Sequence, residues 1–237
     1  MRRLAGVIAA GHGDRLRDGS QTLKPLVKVG GRTLIERVLT SLGETEPAEV
    51  VVIVNDAAIE VRDHVSASRW PFTIRWIVQT TPSSMHSFLR VVETLADSGA
   101  PGPFLISTVD TVAPPGAYAR FAAEAGRRDA AVTLALTARG RDECPLLVKL
   151  DGSTVTAIGA AAGAAEHATA GYYAVRPSIL QEADEARRDG VGALRLFLER
   201  LLARGYRLEG VPSPESVDVD RPRDVAAAEE LLRRVTA

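Results

Sequence analysis

Short apolar runs alternate with segments of helical periodicity along the first 140 residues. The runs are four to seven residues long and rich in branched side chains, a pattern typical of buried strands. They predict strands at Leu4–Ala9, Val50–Val54, Thr73–Val78, Phe104–Ser107 and Ala130–Leu136. Between them, the apolar residues of 34–42 and 88–96 fall on one helical face. This alternation favours a mostly parallel sheet covered by helices on both faces.

After residue 140 the pattern changes to shorter strands. Pro145–Val148, Val155–Ile158 and Gly171–Val175 predict partly antiparallel strands, with Asp151-Gly152 as a hairpin turn. Helices are expected at 177–188, 192–204 and 222–235, and a strand near Arg207–Val211. We therefore predict a single Rossmann-like three-layer α/β/α domain over residues 1–237, with a mostly parallel mixed sheet.

Composition and charge exclude several classes of partner. With 46% hydrophobic and 25% charged residues in 237, the chain fits one soluble globular domain. Its net charge of −1 gives no broad attraction for nucleic acid or anionic membranes. The apolar start at Leu4 runs into a glycine turn without a cleavage-like continuation, so we expect a first strand and a cytoplasmic protein. The single Cys144 fits a reducing compartment.

A glycine-rich turn follows the first predicted strand. The sequence Ala9-Ala10-Gly11-His12-Gly13-Asp14-Arg15 lets backbone N–H groups approach phosphates, and Arg15 adds a forked cation. Neither the full dinucleotide fingerprint nor the P-loop can be written here. A tight turn without a ligand is the alternative interpretation.

Lys24 and Pro25 lie in the same long connection. It exceeds twenty residues, whereas βα loops usually have about 2 to 6, so it predicts a functional loop. The next helix begins at a capping-box pattern, Thr33 with Glu36. Only three of the 29 basic residues are lysines, and Lys24 and Lys28 are two of them. Each could instead be an ordinary solvated surface lysine.

Aspartates occur at two places where a sheet edge could hold a ligand. Asp110 follows a central strand at its carboxyl end, where open α/β sheets bind ligands. Asp218 and Asp220 are separated by one residue in an apparent strand and so share a face. Alternatively, Asp110 caps the helix expected after Pro114, and Asp220 is the N-cap of the last helix.

Taken together, these segments resemble the nucleotidyltransferase superfamily. The resemblance rests on Ala-Ala-Gly-x-Gly-x-Arg-Leu, then Lys-Pro-Leu, then Val-Gly-Gly-Arg-Thr-Leu-Ile, over residues 4–42, and it returns near the C-terminus. The superfamily includes sugar-1-phosphate nucleotidylyltransferases, MobA-like enzymes and cytidylyltransferases of phospho-alcohols. It implies a Mg²⁺-dependent enzyme that joins an NTP to a phosphorylated small molecule and releases pyrophosphate.

The resemblance also implies roles for individual residues. It divides the domain into a nucleotide-binding part, 1–140, and an acceptor-binding part, 141–215. The catalytic residues it implies are Arg15, Lys24 and Asp110, with Mg²⁺ on Asp110 and Asp220. The nucleotide-binding residues are Ala9, Ala10, Gly11, Gly13, Gln79 and Ser84, and the acceptor-binding residues are Gly171 and Tyr172. For Ser84, a helix N-cap is the alternative. The Asn and the Glu-Lys of several sugar-specific members are missing near residue 160, which argues against a hexose 1-phosphate.

Several alternatives stay open. A GT-A glycosyltransferase could use Asp218-Val219-Asp220 as its metal motif, and a MobA-like enzyme could act on molybdopterin. A non-catalytic module could bind a nucleotide without turnover. The four His and the lone Cys144 show no spacing for zinc or thiol catalysis. We expect a monomer or a homodimer.

Overall fold

The computed structural model describes residues 3–11, 16, 22–139 and 144–236. The strands are β1 (Leu4–Ala9), β2 (Lys28–Val29), β3 (Arg32–Thr33), β4 (Glu49–Val54), β5 (Thr73–Val78), β6 (Phe104–Thr108), β7 (Thr111–Val112), β8 (Val132–Ala138), β9 (Leu147–Asp151), β10 (Thr154–Ile158), β11 (His167–Val175), β12 (Leu208–Pro212) and β13 (Val217–Asp218). The α-helices are α1 (Leu34–Gly43), α2 (Ile59–Ser66), α3 (Ser84–Ala96), α4 (Ala117–Ala125), α5 (Ala183–Arg188), α6 (Leu194–Ala203) and α7 (Pro222–Thr236). Short 3₁₀ turns occupy Lys24–Leu26, Gly159–Ala162 and Pro177–Glu182.

The main sheet has the strand order β5-β4-β1-β6-β11-β8-β12-β10-β9. The first four strands are parallel, as is the β8–β12 pair. In contrast, β11 runs antiparallel to both β6 and β8, and β10 is antiparallel to β9 and β12. The mixed α/β architecture is confirmed, although the sheet is less parallel than expected. The described chain between β8 and β11 holds a hairpin, and without a crossover helix neighbouring strands pair antiparallel.

Two apolar layers lie on opposite faces of the sheet. Alternate residues of β1 divide between them: Ile8 packs in the layer that contains α3 and α6, and Val7 and Ala9 pack in the layer that contains α1, α2 and α4. Because helices cover both faces, strands such as β4 are apolar at nearly every position. The sheet therefore presents its polar functional groups at the ends of its strands.

The segment before α1 is fixed by local hydrogen bonds. Thr33 and Glu36 form the predicted capping box, in which the Glu36 carboxylate accepts from the Thr33 amide at 2.8 Å. The amide of Leu34 donates to the carbonyl of Val27 at 2.9 Å, and Arg37 Nε donates to the carbonyl of Val29 at 2.8 Å. These contacts hold the chain that carries Lys24 against the start of α1.

Among the described residues, none of the helices combines the length and the apolar character that crossing a bilayer requires.

Candidate active site

The ammonium of Lys24 lies between two carboxylates. Its Nζ donates to Asp110 Oδ2 at 2.6 Å and also to Asp220 Oδ1. The side chain of Lys24 is 11% exposed, that of Asp110 21% and that of Asp220 48%. Three residues far apart in the sequence therefore meet in one partly buried ion cluster at this edge of the sheet.

The 3₁₀ turn at Lys24–Leu26 sets the direction of the lysine. Pro25 is buried within it, and the amide of Leu26 donates to the carbonyl of Leu23 at 2.8 Å. Leu23 and Leu26 pack against the apolar layer of α1. Lys24 thus has two apolar anchors nearby in the chain, and its ammonium lies between the two carboxylates.

Asp110 and Asp220 are brought together by a short ladder. The amide of Val219 donates to the carbonyl of Asp110 at 3.0 Å, and β13 pairs with β7 so that Asp218 lies opposite Thr111. This ladder fastens the C-terminal Asp-Val-Asp segment beside the end of β6. The two aspartates therefore approach the same cation from different parts of the chain.

The alternative roles of these aspartates as helix caps do not match the structure. At the start of α4 the amide of Gly116 donates to Glu44 Oε2 at 2.9 Å, not to Asp110. At the start of α7 the amides of Asp220 and Arg221 donate to Asp224 Oδ2 at 3.0 and 2.8 Å. The Asp224 carboxylate thus accepts the hydrogen bonds at the N-terminal end of α7, whereas the Asp220 carboxylate contacts Lys24.

The cluster stabilises the charged form of each buried partner. Burial lowers the pKa of Lys24, but attraction to Asp110 and Asp220 and the hydrogen bonds to both outweigh it, so the pKa is raised above its ordinary 10.5. Burial raises the pKa of Asp110, but attraction to Lys24 and hydrogen bonds from Lys24 and Thr108 leave it below its ordinary 3.8. At neutral pH the lysine is cationic and Asp110 is anionic.

Two threonines extend the cluster toward β11. Thr108 Oγ1 and Thr111 Oγ1 are 3.0 Å apart, and Thr111 Oγ1 donates to Asp218 Oδ1 at 3.1 Å. Thr108 Oγ1 lies 3.4 Å from the carbonyl of Gly171. Neither threonine was among the predicted site residues, although both are close to Asp110 in Thr108-Val109-Asp110-Thr111.

The early glycine turn begins at the same edge of the sheet. Ala9 and Ala10 are buried, Gly11 is exposed with open space around its Cα, and the carbonyl of Ala10 accepts from Asn55 Nδ2 at 3.4 Å. Asn55 follows β4 and was not among the predicted site residues either. The predicted site residues Gly13 and Arg15 lie outside the described residues.

Gln79 and Ser84 flank the connection from β5 to α3. Gln79 is exposed, and its backbone amide donates to the carbonyl of Val54 at 2.9 Å. Ser84 Oγ accepts from the amide of Leu194 at 3.0 Å, so its hydroxyl caps the first turn of α6 rather than of its own helix. β5 is one of the two edge strands of the main sheet and lies three strands away from β6, so these residues lie to one side of the Lys24 cluster.

Gly171 adjoins the cluster, whereas the ring of Tyr172 does not. Gly171 has a φ of +80°, and a Cβ there would lie 1.9 Å from Thr111 Oγ1. The Tyr172 ring is fully buried, stacks on Tyr118 with centroids 4.2 Å apart, and bonds through its hydroxyl to Ser213. The expected acceptor contact by Tyr172 needs correction, because this side chain points into the apolar layer under α4.

The carboxylates of the cluster fit a Mg²⁺ site. This ion takes oxygen ligands in proteins, commonly from one or two carboxylates, with substrate phosphates and water as the others. Asp110 and Asp220 already converge on a single cationic atom, so both can present oxygen to one ion. Within the part of the chain that is described, no group of three or more His, Cys, Asp or Glu could hold a metal alone.

The chain resembles solved nucleotidyltransferases over its whole length. An inositol-1-phosphate CTP transferase from T. maritima matches with a TM-score of 0.81 at 18% identity, over 99% of this chain and 96% of that one. A UDP-glucose pyrophosphorylase complexed with UDP-glucose matches with a TM-score of 0.74 at 14% identity, over 97% and 98%. These likenesses define the fold as that of the nucleotidyltransferases.

The sequence places the chain in a particular family within that class. Residues 5–199 match the MobA-like NTP transferase domain, and the chain belongs to that family. It is 30% identical to the bifunctional IPC transferase and DIPP synthase of Rubrobacter xylanophilus, over 96% of this chain and 51% of that protein. It is 26% identical to the bifunctional protein GlmU of Thermobifida fusca, over 98% and 50%. The chain therefore spans about half the length of these relatives.

Proposed function

We propose that this protein transfers a nucleotidyl group from an NTP to the phosphate of a small hydroxylated acceptor and releases pyrophosphate. The observation that carries the proposal is the contact of Lys24 with both Asp110 and Asp220 at the carboxyl edge of the parallel strands. Family membership and the fold support the same reaction class.

The reaction requires two polyanions to meet. An acceptor phosphate oxygen attacks the α-phosphorus in line, a new P–O bond forms, and the bond to the bridging oxygen breaks as pyrophosphate leaves with the electron pair. Unit charges about 4 Å apart repel by about 4 kcal/mol at an effective dielectric near 20. A cationic side chain in a partly buried cleft offsets this repulsion. The acceptor phosphate is already ionised at neutral pH, so no general base is needed.

Lys24 is the catalytic cation of the proposal. In the structure it contacts both Asp110 and Asp220, and we expect it to exchange one carboxylate for an α-phosphate oxygen when the NTP binds. Asp110 and Asp220 would hold Mg²⁺, which when bound screens phosphate charge. Arg15 would contact the β- and γ-phosphates, and Gly11 with its neighbours would contribute backbone amides.

The remaining assignments follow the two halves of the domain. We propose that residues 1–140 bind the nucleotide, with Ala9, Ala10, Gly13 and Gln79 near it, and that 141–215 bind the acceptor around Gly171. We also propose that the protein is cytoplasmic and that its oligomeric state is a monomer or a homodimer.

Inositol 1-phosphate with CTP is the first substrate pair to test. It is suggested by the solved inositol-1-phosphate CTP transferase, with which this chain shares its fold, and by the missing Glu-Lys of sugar-specific members. Glucose 1-phosphate with UTP is the second choice, because a UDP-glucose pyrophosphorylase shares the fold as well.

The decisive experiment measures pyrophosphate release by the full chain. ATP, CTP, GTP, UTP and dTTP are each paired with inositol 1-phosphate, glucose 1-phosphate, phosphocholine and molybdopterin, with and without Mg²⁺. We expect release with at least one pair, its loss in Asp110→Asn, and its retention in Lys28→Ala, which changes an exposed lysine of β2. Release of a nucleoside diphosphate from added UDP-glucose would indicate a glycosyltransferase, and nucleotide binding without turnover would indicate a binding module.

A further inference from the structure

Thr111 connects the end of β6 with the C-terminal segment. Its side chain is buried, its Oγ1 lies 3.0 Å from Thr108 Oγ1, and it donates to Asp218 Oδ1 at 3.1 Å. Asp218 itself is exposed. A buried donor therefore fixes one oxygen of an exposed carboxylate.

The backbone of β11 leaves room for this pair. A Cβ at Gly171 would lie 1.9 Å from Thr111 Oγ1 and 3.1 Å from Asp218 Oδ1. The β11–β8 register shifts between Thr169 and Tyr173, so Gly171 lies in a bulge or a similar irregularity of the strand. Bulges of this kind redirect a strand beside functional sites. The carboxylate of Asp218 thus lies directly against the strand proposed to line the acceptor pocket.

Asp218 and Asp220 contact different partners despite their close spacing. Asp220 contacts Lys24, whereas Asp218 contacts Thr111 and adjoins Gly171. The first pair lies where the phosphates would react. The second lies on the β11 side of that point, where the rest of an acceptor would extend.

We propose that Asp218 recognises the acceptor by accepting hydrogen bonds from its hydroxyl groups, and that Thr111 is the residue that positions Asp218. This inference rests on the proposed function and names its acceptor class, a polyhydroxylated phosphate. An ionised carboxylate only accepts hydrogen bonds, so it pairs with hydroxyl donors and repels an acceptor that carries a further carboxylate.

The variants separate positioning from packing. Thr111→Val keeps the size and branching but removes the donor, and Thr111→Ser restores the donor. Asp218→Asn removes the charge. The matched control is Thr94→Val, another buried threonine, whose hydroxyl bonds to the carbonyl of Arg90 within α3. The KM for the acceptor, the KM for the NTP and kcat are measured for each, with inositol 1-phosphate and glucose 1-phosphate as probes.

Asp218→Asn and Thr111→Val should each raise the acceptor KM, by roughly tenfold to a hundredfold for Asp218→Asn, the range for losing a hydrogen bond to a charged group. The KM for the NTP should stay within about twofold. Thr111→Ser and Thr94→Val should resemble wild type, and Thr111→Val should add little in the Asp218→Asn background. An unchanged acceptor KM in Asp218→Asn, or equal effects on both substrates, would overturn the inference.

Binding measurements separate this inference from the proposed reaction. Calorimetry follows each acceptor probe added to the full chain with Mg²⁺ and a non-hydrolysable CTP analogue. Acceptor binding that Asp218→Asn weakens, without pyrophosphate release by wild type, would overturn the reaction but support the recognition role. Tighter wild-type binding of phosphocholine than of either hydroxylated probe would show that Asp218 selects a cationic group, and would overturn the inference. Failure of wild type to bind any probe would overturn both.

Discussion

Replacing Lys24 by Met tests whether the ammonium of Lys24 holds the ion cluster together. Met has a similar length and apolar stem, so the packing of the 3₁₀ turn is kept while the ammonium is lost. Asp110 and Asp220 would then face each other with the charge between them removed. The variant should be less stable than wild type at neutral pH.

The magnitude follows from the geometry. Two carboxylates that contact one ammonium lie roughly 4 to 5 Å apart by hydrogen-bond geometry, which corresponds to about 3 to 4 kcal/mol of repulsion at an effective dielectric of 20. Asp220 is half exposed, so solvent screening reduces this to about 1 to 2 kcal/mol. For a chain of this size that is a fall of roughly 2 to 8 °C in Tm.

The pH dependence of folding stability should have the opposite sign in the Lys24→Met variant. In wild type the raised pKa of Lys24 contributes stability that is full below 10.5 and is lost as pH rises through the folded pKa. The lowered pKa of Asp110 contributes stability that is present above 3.8 and is lost as pH falls. Without Lys24, burial and repulsion from the neighbouring carboxylate should raise the pKa of Asp110 above its unfolded value. Protonation then favours the folded state, so the deficit should shrink as pH falls from 7.5 to 5.

Thermal unfolding followed by circular dichroism at both pH values, with and without Mg²⁺, measures these effects. Lys28→Met is the matched control, since Lys28 is an exposed lysine on β2. Mg²⁺ should stabilise Lys24→Met more than wild type, because the ion restores the missing positive charge. Equal Tm values for wild type and Lys24→Met at pH 7.5, or the same loss in Lys28→Met, would refute the reasoning.

Three further changes test the surroundings of the cluster. Gly171→Ala combines a positive φ with a steric overlap and should cost about 2 to 4 kcal/mol in urea unfolding, whereas Gly152→Ala, at φ +59° in open space, should cost about 1 kcal/mol. Tyr172→Phe loses the hydrogen bond to Ser213 but keeps the ring stacking, so it should cost about 1 kcal/mol and leave both KM values unchanged in steady-state kinetics. Ser84→Ala removes the acceptor at the start of α6 and should cost about 0.5 to 2 kcal/mol in the same unfolding assay. A changed KM for the NTP in that variant would show that the hydroxyl also contacts nucleotide.

The strands and the longer helices were predictable because burial on both faces gives them a strong apolar pattern. β1 and β5 have the predicted bounds, and α6 differs from its prediction by only a few residues. The missed helix α2 buries only Val61 and Val65, so it has little periodicity to detect. The antiparallel position of β11 between β6 and β8 depends on contacts between distant parts of the chain, and no local sequence pattern predicts which strands it pairs with.

The charged residues of the candidate site were predictable from the sequence, but the neighbouring hydrogen-bonding residues were not. Lys24, Asp110 and Asp220 are conspicuous because charged residues beside apolar strands are unusual. Thr108 and Thr111 are small polar residues that occur in any strand, and their importance comes from hydrogen bonds made across the fold. The orientation of Tyr172 was not predictable, because the sequence does not indicate whether a tyrosine side chain lines a pocket or packs in the core.

The geometry of the cluster also explains why a chain so rich in arginine has lysine at position 24. The carboxylates of Asp110 and Asp220 both contact one nitrogen atom, which a compact ammonium allows, because its three donors radiate from a single point. A guanidinium spreads its donors over a planar fork suited to one bidentate partner. Lysine can therefore exchange one carboxylate for a phosphate oxygen by a small rotation while it keeps the other. An ammonium held by two acids is thus suited both to reduce the repulsion between the two carboxylates and to contact the phosphate of the proposed substrate.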